Sequence, residues 1–364
     1  MTQVNCYKDE IVPRSLVQWY EDNLPSGPVG NYSIQERWLC LERCLYGLYR
    51  WYTEKSQRAR NWNPDTSIEW SKVRTDHTEE FNTILRGFYA VEQYIPDYVS
   101  EGLKMFRQSY GRVQFHLRWG AEEERHSDLW RNSLIFTKAM TTDEIEEYSY
   151  NLRGQQWHLP WEDPIHMFFY TVFQERATQI NYLNLGLVAK GNWNASTLTT
   201  DYDPVFVDAC RFIAMDESAH YAFFLEGCWL LMYFFPERAT EVCVEVLRHF
   251  AMPARHIIPD YDEFATILHK SAIFGMRQYS RDVAKVALEA LGIDDLKAVE
   301  AGIRASRRVP EVDGEMRPGA VFEGFDYEKA TKKANMLWQK IAKYEEGIQV
   351  PESERTSFLK LIPS

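Results

Sequence analysis

The chain has 364 residues, 45% hydrophobic and 15% aromatic, with a formal net charge of −12. That length fits one large domain, or one with a small extension, and it can bury a substantial, ring-rich core. The acidic balance argues against a general nucleic-acid binder, which would carry a basic face, and the longest apolar run, CWLLMYFF at 228–235, is far short of the roughly 20 residues that cross a bilayer.

The opening residues MTQVNCYKDE show no apolar leader, so a cytoplasmic location is the expectation. The six cysteines contain no C-x-x-C pair and read as reduced thiols. No repeat or low-complexity tract stands out. Apolar residues recur at three- and four-residue spacing from about residue 34 to 300, which predicts helices almost throughout. The first spans 34–55, opened by Ser33 with Glu36 as a capping box. A long element follows at 76–108 with Pro96 inside it, then 112–137. Thr142 is expected to cap 143–153. Pro164 starts 164–189 at a first-turn position. Helices are expected next at 203–234, ending at Pro236, and at 238–250, 261–278, 281–291 and 294–305, with Gly292 as a stop. Loops are expected at 56–72, 155–163, 190–202 and 251–260. From Arg307 the texture turns rich in Pro, Gly and charge. The chain therefore divides into a main domain, 1–306, and a C-terminal part, 307–364, with a linker, a charged helix at 326–346 and an irregular tail.

Within the element at 112–137, AEEERH places Glu123 and His126 three residues apart. On a helix such residues project the same way from adjacent turns, so both can reach one metal ion. Alone, the pair is as well explained by a salt-bridged surface. A second copy, Glu217 and His220 in MDESAH, lies among Ile213, Ala214, Tyr221, Phe224 and Cys228. A carboxylate and an imidazole on such a face are costly unless paired or metal-bound. Two further glutamates, Glu92 and Glu175, sit on apolar faces of other helices. Arg86 and Arg176 are candidate partners if those glutamates are merely structural. Asp163 and His166 share the spacing, but Pro164 between them marks a helix start, so that pair reads as a cap. Two helices with a lone Glu and two with E-x-x-H are the ligand set of carboxylate-bridged dinuclear bundles. Hard oxygens with two imidazoles suit iron or manganese with positions open to dioxygen.

On these residues the sequence resembles the soluble acyl-acyl carrier protein desaturases. FQERAT (173–178) matches the family's stretch outright. WGAEEERH (119–126), MDESAH (215–220), GFYAVEQYIPDY (87–98) and MPARHIIPDYDEF (252–264) resemble family stretches in the same order. The resemblance implies an all-α, ferritin-like bundle with extra flanking helices, usually a homodimer, holding two irons. The implied ligands are Glu92, Glu123, His126, Glu175, Glu217 and His220. Thr178 falls where the family keeps a threonine near the oxygen site, and Trp119 and Asp216 fall around the ligands. Asp216 diverges from Glu217 by about 100° around the axis, so it faces away from the metals and can instead orient a histidine of another helix. The implied activity is dioxygen-dependent formation of a cis double bond in an acyl chain on an acyl carrier protein, with electrons from a ferredoxin-like donor. Gln179 stands where the family has an apolar ring, and Ser127 where it has glycine. Hydroxylation at the same site therefore stays open, as do an iron-storage bundle and a radical generator.

Overall fold

A computed structural model of the protein describes residues 12–21, 29–193, 197–306 and 325–356. The helices are α1 (Arg14–Glu21), α2 (Ile34–Trp51), α3 (Glu79–Glu92), α4 (Ile95–Met105), α5 (Tyr110–Phe136), α6 (Thr142–Leu152), α7 (Pro164–Ala189), α8 (Pro204–Phe234), α9 (Pro236–His249), α10 (Tyr261–Lys270), α11 (Met276–Gln278), α12 (Lys285–Leu291), α13 (Leu296–Ser306) and α14 (Tyr327–Gly347). The described residues contain no sheet, only an isolated bridge between Ile293 and Phe325. The fold is an all-α, ferritin-like bundle in which α3, α5, α7 and α8 enclose the centre described below.

Local chemistry fixes the ends of these helices. Ser33 and Glu36 close the expected capping box on α2. Asp163 caps α7, with Pro164 in its first turn, and Asp203 caps α8, with Pro204 in the same place. The proline there lacks an N–H that the helix would leave unpaired anyway. The box opening α6 uses Thr141 and Glu144, one residue earlier than the expected Thr142.

Three expectations about elements are corrected. The element at 76–108 is two helices, broken at Gln93–Tyr94, because Pro96 has no N–H to donate and opens the first turn of α4. The helix at 261–278 ends at Lys270, and Ala272 beyond it takes a left-handed φ of 57°. Residues 52–60, expected to finish a helix and enter a loop, form a π-helical turn, Tyr52–Ser56, and a 3-10 turn, Gln57–Arg60. Helix α1 was not anticipated. Residues 307–324 and 357–364, which hold the expected linker and the end of the tail, lie outside the described residues.

The core is ring-rich, as the composition requires. The rings of Phe115 on α5 and Phe223 on α8 lie parallel with centroids 3.4 Å apart. Glycine permits close approach at two key places: a Cβ on Gly102 would overlap the His116 ring, and one on Gly227 would overlap Phe168. Helix α14 packs on α2 and α8, where the Trp338 indole donates to Cys44 Sγ at 3.3 Å.

Candidate metal centre

Glu92 is the last residue of α3. Glu123 and His126 lie in mid-α5, Glu175 in α7, and Glu217 and His220 in α8. All six are at most 5% exposed. The structure brings them together as two overlapping groups. Ligand atoms of Glu92, Glu123, His126 and Glu217 lie within 4.8 Å of one another, and so do those of Glu123, Glu175, Glu217 and His220. Glu123 and Glu217 belong to both groups, as bridging carboxylates would.

Both imidazoles point the same ring nitrogen inward. His126 Nδ1 is 3.0 Å from Glu123 Oε2 and 3.7 Å from Glu217 Oε1. His220 Nδ1 is 3.0 Å from Glu123 Oε1, 3.4 Å from Glu217 Oε2 and 3.5 Å from Glu175 Oε2. The outward nitrogens meet carboxylates of the opposite helix. His126 Nε2 lies 3.3 Å from Asp216 Oδ2, and His220 Nε2 lies 2.7 Å from Glu122 Oε2. An Nε2–H donated to a carboxylate fixes the tautomer and leaves the Nδ1 lone pair free for a metal.

The surrounding side chains complete a hydrogen-bonded shell. Tyr182 donates to Glu92 Oε1 at 2.8 Å. Trp119 donates its indole N–H to Glu175 Oε1 at 2.9 Å. Asp216, fully buried, also accepts from Trp62, Arg125 and Arg60. Glu122 accepts from Tyr52 and Arg60. Thr178 is buried one turn past Glu175, with its hydroxyl donated to the carbonyls of Gln174 and Glu175. Arg86 reaches Thr83, and Arg176 reaches Asp282 and Gln179; neither pairs with Glu92 or Glu175. Asp163 caps its helix by accepting from the N–H groups of Ile165 and His166.

The donor set fits two divalent cations. Four carboxylates within a few ångströms in a dry interior are strongly unfavourable without countercharge, and two such cations balance them. Oxygens Oε1 of Glu123 and Oε2 of Glu175 are buried without a hydrogen bond. Burial, then the neighbouring Glu123, pushes the Glu92 carboxyl up to about 8. Burial, then Glu123 and Glu175, pushes Glu217 well up. Burial opposes charge on His126 and His220, but the surrounding anionic and phenolic groups outweigh it and raise both well above the ordinary imidazole range. Burial likewise works against ionised Glu123, but His126 foremost holds its carboxyl down to about 2. The protein alone can satisfy this cluster only by taking up protons where cations would sit. Carboxylates with imidazoles suit iron, and the cluster is built for a di-iron cofactor.

Sequence reasoning missed Glu122, Tyr52, Arg60, Trp62, Arg125 and Tyr182. One signal was available: an acid directly precedes each E-x-x-H, as Glu122-Glu123 and Asp216-Glu217. An apolar groove of about 380 Å³ between α7 and α8 has Tyr182 and Gln179 among its lining residues, with Leu183, Leu187 and Met215, and Lys190 and Arg211 beside them. Among the described residues no helix is long and apolar enough to cross a membrane.

Residues 69–336 match the model of a family described as fatty acid desaturase. The chain is 27% identical over 170 residues to stearoyl-[acyl-carrier-protein] 9-desaturase 3 of Arabidopsis thaliana, covering 44% of this chain and 40% of that protein. It is 26% identical over 192 residues to palmitoyl-[acyl-carrier-protein] 4-desaturase 3 of Ophrys sphegodes, covering 50% and 45%. The match thus spans less than half the length of either relative. Among solved structures, an R2-like ligand-binding oxidase with a Mn/Fe cofactor superposes with a TM-score of 0.47 at 14% identity, covering 68% of this chain and 92% of that one.

Proposed function

The chain belongs to the fatty acid desaturase family, and from that premise we propose that it is a di-iron oxidoreductase that uses dioxygen to introduce a cis double bond into an acyl chain carried on an acyl carrier protein. The observation that carries this reading is the pair of overlapping buried clusters sharing Glu123 and Glu217. In this reading Glu92 and His126 complete one iron site, and Glu175 and His220 complete the other. Two bound irons supply the oxidising power needed to break unactivated C–H bonds with dioxygen.

The protein's own residues do the rest. Glu122 and Asp216 hold the two imidazoles with Nδ1 inward. Tyr182 and Trp119 hold the terminal carboxylates Glu92 and Glu175. Thr178 keeps a hydroxyl one turn past Glu175, with its Oγ1 lone pairs able to accept a hydrogen bond while its O–H is donated to the helix backbone. The buried rings of Trp119, Trp130, Phe88 and Phe224 exclude water, which strengthens every polar interaction inside. The substrate carrier, a ferredoxin-like electron donor and a homodimeric assembly belong to this same proposal.

Oxygenation is the competing outcome, favoured by Gln179, a polar residue lining the groove beside Tyr182. One experiment separates the two. The iron-loaded protein is incubated aerobically with reduced ferredoxin and a panel of acyl-carrier proteins, and product masses are read. Loss of two hydrogens is the expected result. Gain of one oxygen atom would establish hydroxylation, and an unchanged chain across the panel would overturn the reading.

A further inference from the structure

Arg60 lies at the end of the 3-10 turn Gln57–Arg60, outside the four helices that supply the centre. Its side chain is 10% exposed, and its guanidinium reaches both carboxylates that the outward-facing histidine edges meet. Nη1 donates to Glu122 Oε2 at 3.0 Å and also to Asp216. Nη2 donates to Glu122 Oε1 at 3.3 Å and to the Tyr52 hydroxyl at 2.7 Å. Glu122 is the acceptor of His220, and Asp216 is the acceptor of His126. One planar cation therefore touches both carboxylates that orient the two imidazoles, and it is shared between the two halves of the centre. The other cation on this shell, Arg125, reaches Asp216 alone of the two.

The local backbone explains how Arg60 gets there. The π-helical turn Tyr52–Ser56 continues directly from α2. With the 3-10 turn that follows, it brings Arg60 back over the phenol of Tyr52, whose ring lies 5.4 Å from the guanidinium carbon. A continuous α-helix would place residues eight apart more than two turns along the axis. Two buried anions facing one another are costly unless a cation lies between them, and a fork of several coplanar N–H groups can serve both at once, which the point charge of a lysine does less well.

We propose that Arg60 is a positioning residue that couples the two metal sites, holding His126 and His220 in the same metal-ready tautomer through Asp216 and Glu122. This rests on the dinuclear reading above. The test is titration of the full-length protein with Co(II) alone, followed by its visible bands, for the wild type, Arg60→Gln and Arg125→Gln. Removing an outer partner of a metal-binding histidine costs roughly 10–100-fold in affinity. Arg60→Gln is expected to weaken both binding steps by that order, and Arg125→Gln one step. Arg60→Lys, which keeps the charge, should recover part of both. In the zinc-loaded protein, the Nε2–H proton resonances of both histidines should shift in Arg60→Gln and one should shift in Arg125→Gln, a signature that loss of fold stability alone would not give. If either cobalt step keeps wild-type affinity in Arg60→Gln, the proposal is overturned. Should Arg60→Gln not fold, Arg60→Lys carries the same criterion. A wild-type protein that takes up fewer than two cobalt ions overturns the dinuclear reading itself, a separate result.

Discussion

Glu122 and Asp216 occupy equivalent places in two copies of one pattern: an acid, then Glu-x-x-His, with the acid turned to the histidine of the opposite helix. Each fixes a ring nitrogen without touching the cluster. Glu122→Gln and Asp216→Asn are each expected to lower iron affinity by roughly 10–100-fold, measured by titration of the metal-free protein, while leaving helix content unchanged by circular dichroism. At this scale the sequence was legible where spacing carries chemistry. The two E-x-x-H pairs and the lone glutamates were visible because helical periodicity ties residue number to direction. Asp216 could be turned away from the metals by the same geometry. Arg60 and Trp62 were not legible, because they reach the site from outside the four helices and no local spacing links them to it. Tyr182 stands on α7 two turns past Glu175, but its partner is Glu92 of α3, a pairing across helices that spacing does not give.

Helix α5 meets α4 through a glycine. Gly102 admits the His116 ring, whose Nε2 bonds the Tyr98 carbonyl at 3.1 Å and whose face stacks 4.7 Å from Trp119. The ring is held on both sides and cannot yield to a methyl group. Gly102→Ala is expected to destabilise the fold by about 1–3 kcal/mol, seen as a lower thermal midpoint, and to disturb Trp119, which donates to Glu175. Element boundaries were legible where caps and prolines stand at helix starts, as at Ser33, Pro164 and Pro204. They were obscured where one periodic stretch hides a break. The apolar pattern runs through Gln93 and Tyr94 without interruption, and only the missing N–H of Pro96 forces two helices. The π-helical and 3-10 turns after α2 have no sequence signature in the periodicity, yet they deliver Arg60.

For the molecule as a whole, stability should track both metal and pH. Ions that bind the folded chain alone stabilise it by mass action, about 2.7 kcal/mol at a hundredfold excess over the dissociation constant, so removing iron with a chelator should lower the melting temperature. The raised carboxyls of Glu92, at about 8, and of Glu217, and the raised imidazoles of His126 and His220 hold protons that incoming cations must displace, so metal affinity should fall steadily as the pH is lowered. His116 acts in the metal-free fold. Burial foremost depresses its imidazole to about 4, below the unfolded value near 6.5. Between those values the unfolded chain binds the extra proton, so acid favours unfolding there, by up to about 3 kcal/mol from this group. Denaturant titrations across that window should show stability falling with acid, and His116→Phe should flatten the slope.

The bundle class was readable because its ligand pattern is distributed over four helices in a fixed order. How the flanking helices close on the bundle was not, since that depends on contacts far apart in the chain. Helix α14 shows what this means for biosynthesis. The Cys44 face of α2 leaves the ribosome well ahead of its cover, Trp338 and Ile341, and meets it only after nearly three hundred further residues have been made. Until then an apolar wall behind α8 stands open to other nascent chains, and the order of translation leaves the packing around Tyr233 and Phe234, at the far end of α8, among the late events in the protein's maturation.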